Sequence, residues 1–154
     1  MKIPVYAILW LLIFSFSCAK KQSESTEETN AKDEKGLVGY VDLSDQLEQD
    51  LVDQGARIFT EKCSSCHTID TVNFFVPSFA GVTNRRSPEW IMNMILHSEK
   101  MVRADSTALA LLKKHRKIMP DPDLTVDQAR AVLEFFRYND EEQVGNRDQA
   151  VTDR

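Results

Sequence analysis

The chain has 154 residues, 42% of them hydrophobic and 28% charged, with a net charge of −5, which leaves room for one domain at most. Three cysteines exclude a disulfide framework beyond a single bridge, and five glycines with five prolines exclude a fibrous or low-complexity chain. The acidic balance argues against nucleic acid as a partner.

Residues 3–16 are almost wholly apolar and follow Lys2, the charged start and short apolar core of a secretory signal. The run is short for a spanning helix, which needs about 20 residues. Ser17-Cys18-Ala19 follows at once and resembles the lipobox of bacterial lipoproteins. Lipidation at Cys18 is the expectation, with a retained membrane anchor as the alternative; both place the rest of the chain outside the cytoplasm and beside a membrane. Residues 19–35 hold no aromatic and no aliphatic larger than Ala, so they cannot bury enough surface to offset their ordering entropy. The expected organisation is a signal peptide over 1–17, a lipidated cysteine and flexible tether over 18–40, a helical domain over 41–139 and a solvated tail over 140–154.

The helical domain opens with Ser44 as a candidate N-cap, Asp45 and Glu48 in the first turn, and Leu47, Leu51, Gly55, Ile58 and Phe59 on one face. A second helix is signalled by Ser87-Pro88-Glu89-Trp90, a cap followed by proline at the first helical position. A third is expected between residues 105 and 115, behind an Asp105 or Ser106 cap, with Ala108, Leu111 and Leu112 at helical spacing. The fourth begins in the capping box Thr125-Val126-Asp127-Gln128, and Ala129, Val132, Leu133 and Phe136 continue its period. Nothing alternates as a strand does, so the fold class is all-α: about four helices, with one long loop over residues 68–86. Phe74, Phe75, Phe79 and Trp90 are expected in the core.

The first helix runs into Cys63-Ser64-Ser65-Cys66-His67, where four chemistries compete. A structural zinc site needs four ligands, usually with a second cysteine pair, and the domain has none. A thioredoxin-like pair is expected after a strand, whereas a helix precedes this one. A plain disulfide leaves the adjacent histidine unexplained. In c-type haem attachment, both thiols become thioethers to the haem vinyl groups and the next imidazole is an axial ligand.

Met119 is the candidate for the opposite axial position. Pro120 disfavours helical backbone at the residue before it, which puts Met119 on an extended strap between the third and fourth helices. Met92, Met94 and Met101 are weaker candidates because none precedes proline, and His97 or His115 would give a bis-histidine iron.

Taken together, these features resemble class I (monohaem) cytochromes c over about 100 residues. Gly55 and Phe59 before the cysteine pair, Val76-Pro77-Ser78-Phe79-Ala80-Gly81-Val82 behind the histidine, Met119-Pro120, and the final helix all follow the family's order. The resemblance implies a cytochrome c fold around one haem c bound through Cys63 and Cys66, with iron held by His67 and Met119. It also implies that the Pro77 carbonyl accepts from the His67 ring, that Gly55 admits the final helix closely, and that Phe59 meets Phe135. The implied function is single-electron transfer between redox proteins, not enzyme catalysis. Small cytochromes serving terminal reductases, among them nitrous oxide reductase, and oxidases are similar to the C-terminal part; a haem sensor or small-ligand binder is the alternative.

Charge is unevenly spread. Residues 18–82 carry six bases and twelve acids, residues 83–118 eight bases and three acids, and residues 119–154 four bases and nine acids. The middle part is positive, and its bases are candidates for steering an acidic redox partner on the periplasmic side of a bacterial membrane.

Overall fold

A computed structural model describes residues 37–70 and 78–152. The signal segment, Cys18, the tether through residue 36, and Phe74, Phe75 and Pro77 lie outside the described residues. Among the described residues the elements are helices joined by loops, with no strand, as the all-α reading expects.

Helix α1 (Gln49–Ile58) starts later than the Ser44 cap implied, because its start is set by tertiary contact. Ser44 caps only a local turn, its hydroxyl oxygen accepting from Gln46 N at 3.2 Å. The backbone N–H of Glu48, at the N-cap position, instead donates to the Glu134 carboxylate at 3.1 Å, 86 residues away. Val52, Gly55 and Phe59 are the buried positions, while Leu51 is only half-buried. The helix ends in a π-helical turn, Phe59–Cys63, which leads directly into the CSSCH segment.

After Gly81, in a left-handed conformation at φ 74°, comes the short helix α2 (Val82–Arg85), inside the stretch read from sequence as one long loop. Helix α3 (Pro88–Ala104) is capped as expected, with Ser87 Oγ accepting from Trp90 N at 3.3 Å. It breaks at His97, whose φ of −146° and ψ of 46° leave the helical region. Asp105 caps α4 (Ser106–His115), accepting from Ala108 N at 2.8 Å and from Trp90 Nε1 at 3.0 Å.

Both bonds of the Thr125–Gln128 capping box open helix α5. This helix (Val126–Val144) runs past Tyr138 into the region expected to be a tail, then closes on left-handed Gly145. Arg137, only 1% exposed, explains the difference: it donates to Glu134 at 2.8 Å, to Asp148 at 2.9 Å and to the Ser44 carbonyl at 2.7 Å. Asp148 precedes a final short helix, α6 (Gln149–Thr152), so the C-terminus is folded back and held by a buried ionic network.

The core is apolar and shared: Val52 and Phe59 from α1 and its turn, Ile91, Met92 and Ile95 from α3, and Ala129, Val132, Leu133 and Phe136 from α5. Burying each large apolar side chain contributes about 1.5–3 kcal/mol. The folded region also begins earlier than residue 41. Val38 is buried, and its backbone N–H and carbonyl pair with the Asn93 side chain at 2.8 and 2.9 Å.

Candidate functional site

The π turn delivers the cysteine pair. His67 N and Cys66 N both donate to the Cys63 carbonyl, at 3.0 and 3.1 Å, so the three residues form one compact turn. Ser64 ties it back to the helix through Oγ to the Thr60 carbonyl at 2.6 Å. Cys63 is half-buried against the apolar core and Cys66 is exposed. Both are free thiols. Burial pushes the Cys63 thiol above its ordinary pKa. Among the described residues no group of three or more His, Cys, Asp or Glu is arranged to hold a metal ion.

The His67 imidazole stacks on Phe79, ring centroids 4.4 Å apart and planes 27° from parallel. Phe79 sits in turn on Phe136 at 4.6 Å and edge-on to Phe59 at 6.1 Å. A continuous aromatic path therefore links the histidine to the interface of α1 and α5. Phe79 was expected to be core; it also holds an imidazole.

Met119 lies half-buried on the segment between α4 and α5. The Ser98 hydroxyl, immediately after the break in α3, donates to the Met119 carbonyl at 2.6 Å. The kink at His97 and the strap carrying Met119 are thus one local structure. Met92 and Met101 are buried core residues of α3. His115, at the end of α4, keeps its Nε2 buried with no hydrogen-bond partner. Pro77 and Cys18 lie outside the described residues.

Sequence reasoning missed Asn139 and Asp140, the first 4% exposed and the second fully buried. Asn139 Nδ2 donates to the Ile69 carbonyl at 2.8 Å. Asp140 accepts from Gly81 N at 2.6 Å, Thr83 N at 2.8 Å and Thr83 Oγ1 at 2.6 Å. Burial pushes the Asp140 carboxyl above its ordinary value, against the pull of these donors. The available signal was the recurrence of polar residues 134, 137 and 140 at helical spacing, on a face that reads as solvated.

The eight bases of the middle segment are not equivalent. Arg85 donates to the Ala80 carbonyl at 2.7 Å, Arg86 lies 5.2 Å over the Trp90 ring, and Arg103 pairs with Glu99 at 2.9 Å. Lys113, Lys114, Arg116 and Lys117, at the end of α4 and on the strap leading to Met119, are exposed.

Residues 52–140 match the family Cytochrome c. Among solved structures, a cytochrome c from Rhodothermus marinus is 34% identical, with a TM-score of 0.67 over 70% of this chain and 92% of that one. An engineered form of it is 33% identical, with a TM-score of 0.65 over 69% of this chain and 91% of that one. A second structure of the engineered protein, bound to a carbene intermediate, is 33% identical with a TM-score of 0.63 over 69% of this chain and 91% of that one. Among curated proteins none matches significantly.

The residues present fit the haem c that this family carries. Two unbridged thiols stand in one turn with an imidazole directly behind them, the donor set that thioether attachment and axial ligation need. Carrying haem c attached through Cys63 and Cys66, and working by haem-based electron transfer, the chain belongs to the cytochrome c family as a class I, monohaem member.

Proposed function

We propose that the protein is a membrane-tethered carrier of single electrons whose haem iron is held by His67 and Met119. Bound haem supplies the one-electron Fe(III)/Fe(II) couple. His67 is braced by Phe79 and would keep one ring orientation in both oxidation states. Met119 is fixed through its carbonyl by Ser98, and a thioether ligand favours the reduced iron. The Pro77 carbonyl would accept from the His67 ring N–H and raise its basicity. The apolar core against which Cys63 packs would help to exclude water from bound haem, which also raises the potential.

The observation that carries this reading is the CxxCH turn with both thiols unbridged; the methionine strap pinned to a broken helix supplies the candidate second ligand. Ferric protein with an intact thioether–iron bond shows a near-infrared charge-transfer band at neutral pH. Loss of that band in Met119→Ala, with retention in the wild type, is the expected result. Its absence from the wild type would instead favour an open-site sensor or ligand binder.

In this reading the chain is exported and Cys18 carries a lipid anchor on the periplasmic face of a bacterial membrane. Stable anchoring needs more than one acyl chain. The exposed bases near Met119 suit an acidic redox partner, with a terminal reductase such as nitrous oxide reductase, or an oxidase, as the class of acceptor. The carbene intermediate belongs to an engineered relative; electron transfer, not catalysis, is the activity proposed for this chain.

A further inference from the structure

We infer that Asn139 and Asp140 are positioning residues that set the orientation of the His67 imidazole from the far side of the C-terminal helix. The inference rests on His67 being an iron ligand.

The two side chains are consecutive on α5, yet they grip opposite flanks of one segment. Asn139 holds the chain two residues after His67, through the Ile69 carbonyl at 2.8 Å. Asp140 holds the chain two to four residues after Phe79, through Gly81 N, Thr83 N and Thr83 Oγ1. The flanks are also tied to each other: Phe79 N donates to the Thr68 carbonyl at 2.9 Å, and the Ser78 hydroxyl donates to the Asp70 carbonyl. Between them stands the stacked pair of His67 and Phe79.

An imidazole on one flank stacked on a benzene ring from the other has its plane set by the relative position of the two flanks. That relative position is fixed by one rigid element, because both grips come from adjacent residues of a helix. Helical geometry places residues 139 and 140 about 100° apart around the axis at 3.6 residues per turn, which lets them reach different strands of chain. A buried carboxylate is a costly group to retain for packing alone, and an apolar residue in its place would leave the Gly81 and Thr83 N–H groups without their acceptor. The carboxylate's three acceptor bonds fix Gly81 in its left-handed turn and start α2.

The test uses ferric holoprotein and the paramagnetic shifts of the haem methyl protons, whose spread depends on the plane of the histidine ring. Asp140→Asn removes one accepting oxygen, and Asn139→Ala removes the grip on Ile69. Both are expected to change the spread and order of the methyl shifts. Thr83→Val, which keeps the shape but loses the hydroxyl that donates to Asp140 and accepts from Asp148 N at 3.2 Å, is expected to give a smaller change in the same direction as Asp140→Asn and covers the case in which the latter fails to fold. Glu134→Gln, whose direct partners are Arg130, Arg137 and the Glu48 N–H and none of the groups that grip the two flanks, is the control for lost stability and should leave the wild-type pattern. Variants that lose thermal stability while keeping the wild-type methyl pattern would overturn the inference and leave a structural brace. A wild-type protein without histidine-ligated low-spin iron would overturn the ligand reading itself, a result visible before any variant is made.

Discussion

Gly55 of α1 lies directly against the backbone of Ala131 in α5: a Cβ at position 55 would stand 2.0 Å from the Ala131 carbonyl oxygen and 2.8 Å from the Phe135 Cβ. The two helices cross closely only because this position has no side chain. In an unobstructed helix Gly→Ala gains about 1 kcal/mol. Here the obstruction is backbone, which cannot swing away, and overpacking of this kind costs about 1–3 kcal/mol or more. Gly55→Ala is therefore expected to lower the melting temperature of the holoprotein; an unchanged or raised value would show that the crossing is loose.

Glu134 and Arg137 form a second anchor. Both are buried, and they join the start of α1, the middle of α5 and Asp148. Removing one member of a buried pair strands the other, at about 3–5 kcal/mol. Glu134 keeps Arg130 and Asp148 keeps Arg147 as partners, so Arg137→Met should cost toward or below the lower end of that range in chemical denaturation. The double variant Glu134→Leu/Arg137→Met should recover part of the loss, because neither fully buried charge remains, while Arg130 keeps Glu48 and Asp148 keeps Arg147 as partners. A single variant as stable as the wild type would contradict the network's role.

The same pair sets an acid dependence. Burial pushes the Glu134 carboxyl up, but hydrogen bonds from Arg130 and Arg137 and the Arg130 charge outweigh it and hold the group below its ordinary value. An acid with a depressed folded pKa binds fewer protons folded than unfolded. Its stabilisation is present above the unfolded glutamate pKa of about 4.3 and is lost as pH falls through the folded value. Melting temperature against pH should fall in that acid window, and Glu134→Gln should flatten the slope there while being less stable at neutral pH.

Ser98 gives a prediction tied to function. Its hydroxyl holds the Met119 carbonyl at 2.6 Å from a position only 5% exposed, and losing one such bond costs about 0.5–1.5 kcal/mol. Ser98→Ala should retain the near-infrared band at neutral pH and lose it at lower temperature than the wild type. A band as persistent as the wild type's would mean that the strap is held elsewhere.

Charge steering is testable in the same protein. Replacing Lys113, Lys114 and Lys117 with glutamine should slow association with an acidic redox partner by roughly tenfold or more at low salt, with the difference closing as ionic strength rises. Stopped-flow rates independent of salt would remove the steering role.

What the sequence made legible was local. Ser87 and Thr125 cap helices through bonds to residues three positions away, so their signatures lie in contiguous sequence, as does the CxxCH turn. The start of α1 was not legible, because the group that receives its first free N–H is Glu134 on another helix. The helical C-terminal segment was not legible for the same reason: residues 139–148 carry mostly polar side chains, and their order rests on distant partners of Arg137, Asn139, Asp140 and Arg147. Asn139 and Asp140 look like solvent-facing residues until the chain after His67 is seen to return to α5.

The most direct test of the whole account is the intact mass of the purified holoprotein after denaturation. A covalent cofactor survives unfolding, so the expected mass is that of the polypeptide with one haem, and the added mass should disappear when Cys63 and Cys66 are both replaced by serine. A denatured wild-type chain carrying no tetrapyrrole mass would contradict haem attachment, and with it the electron-carrier reading.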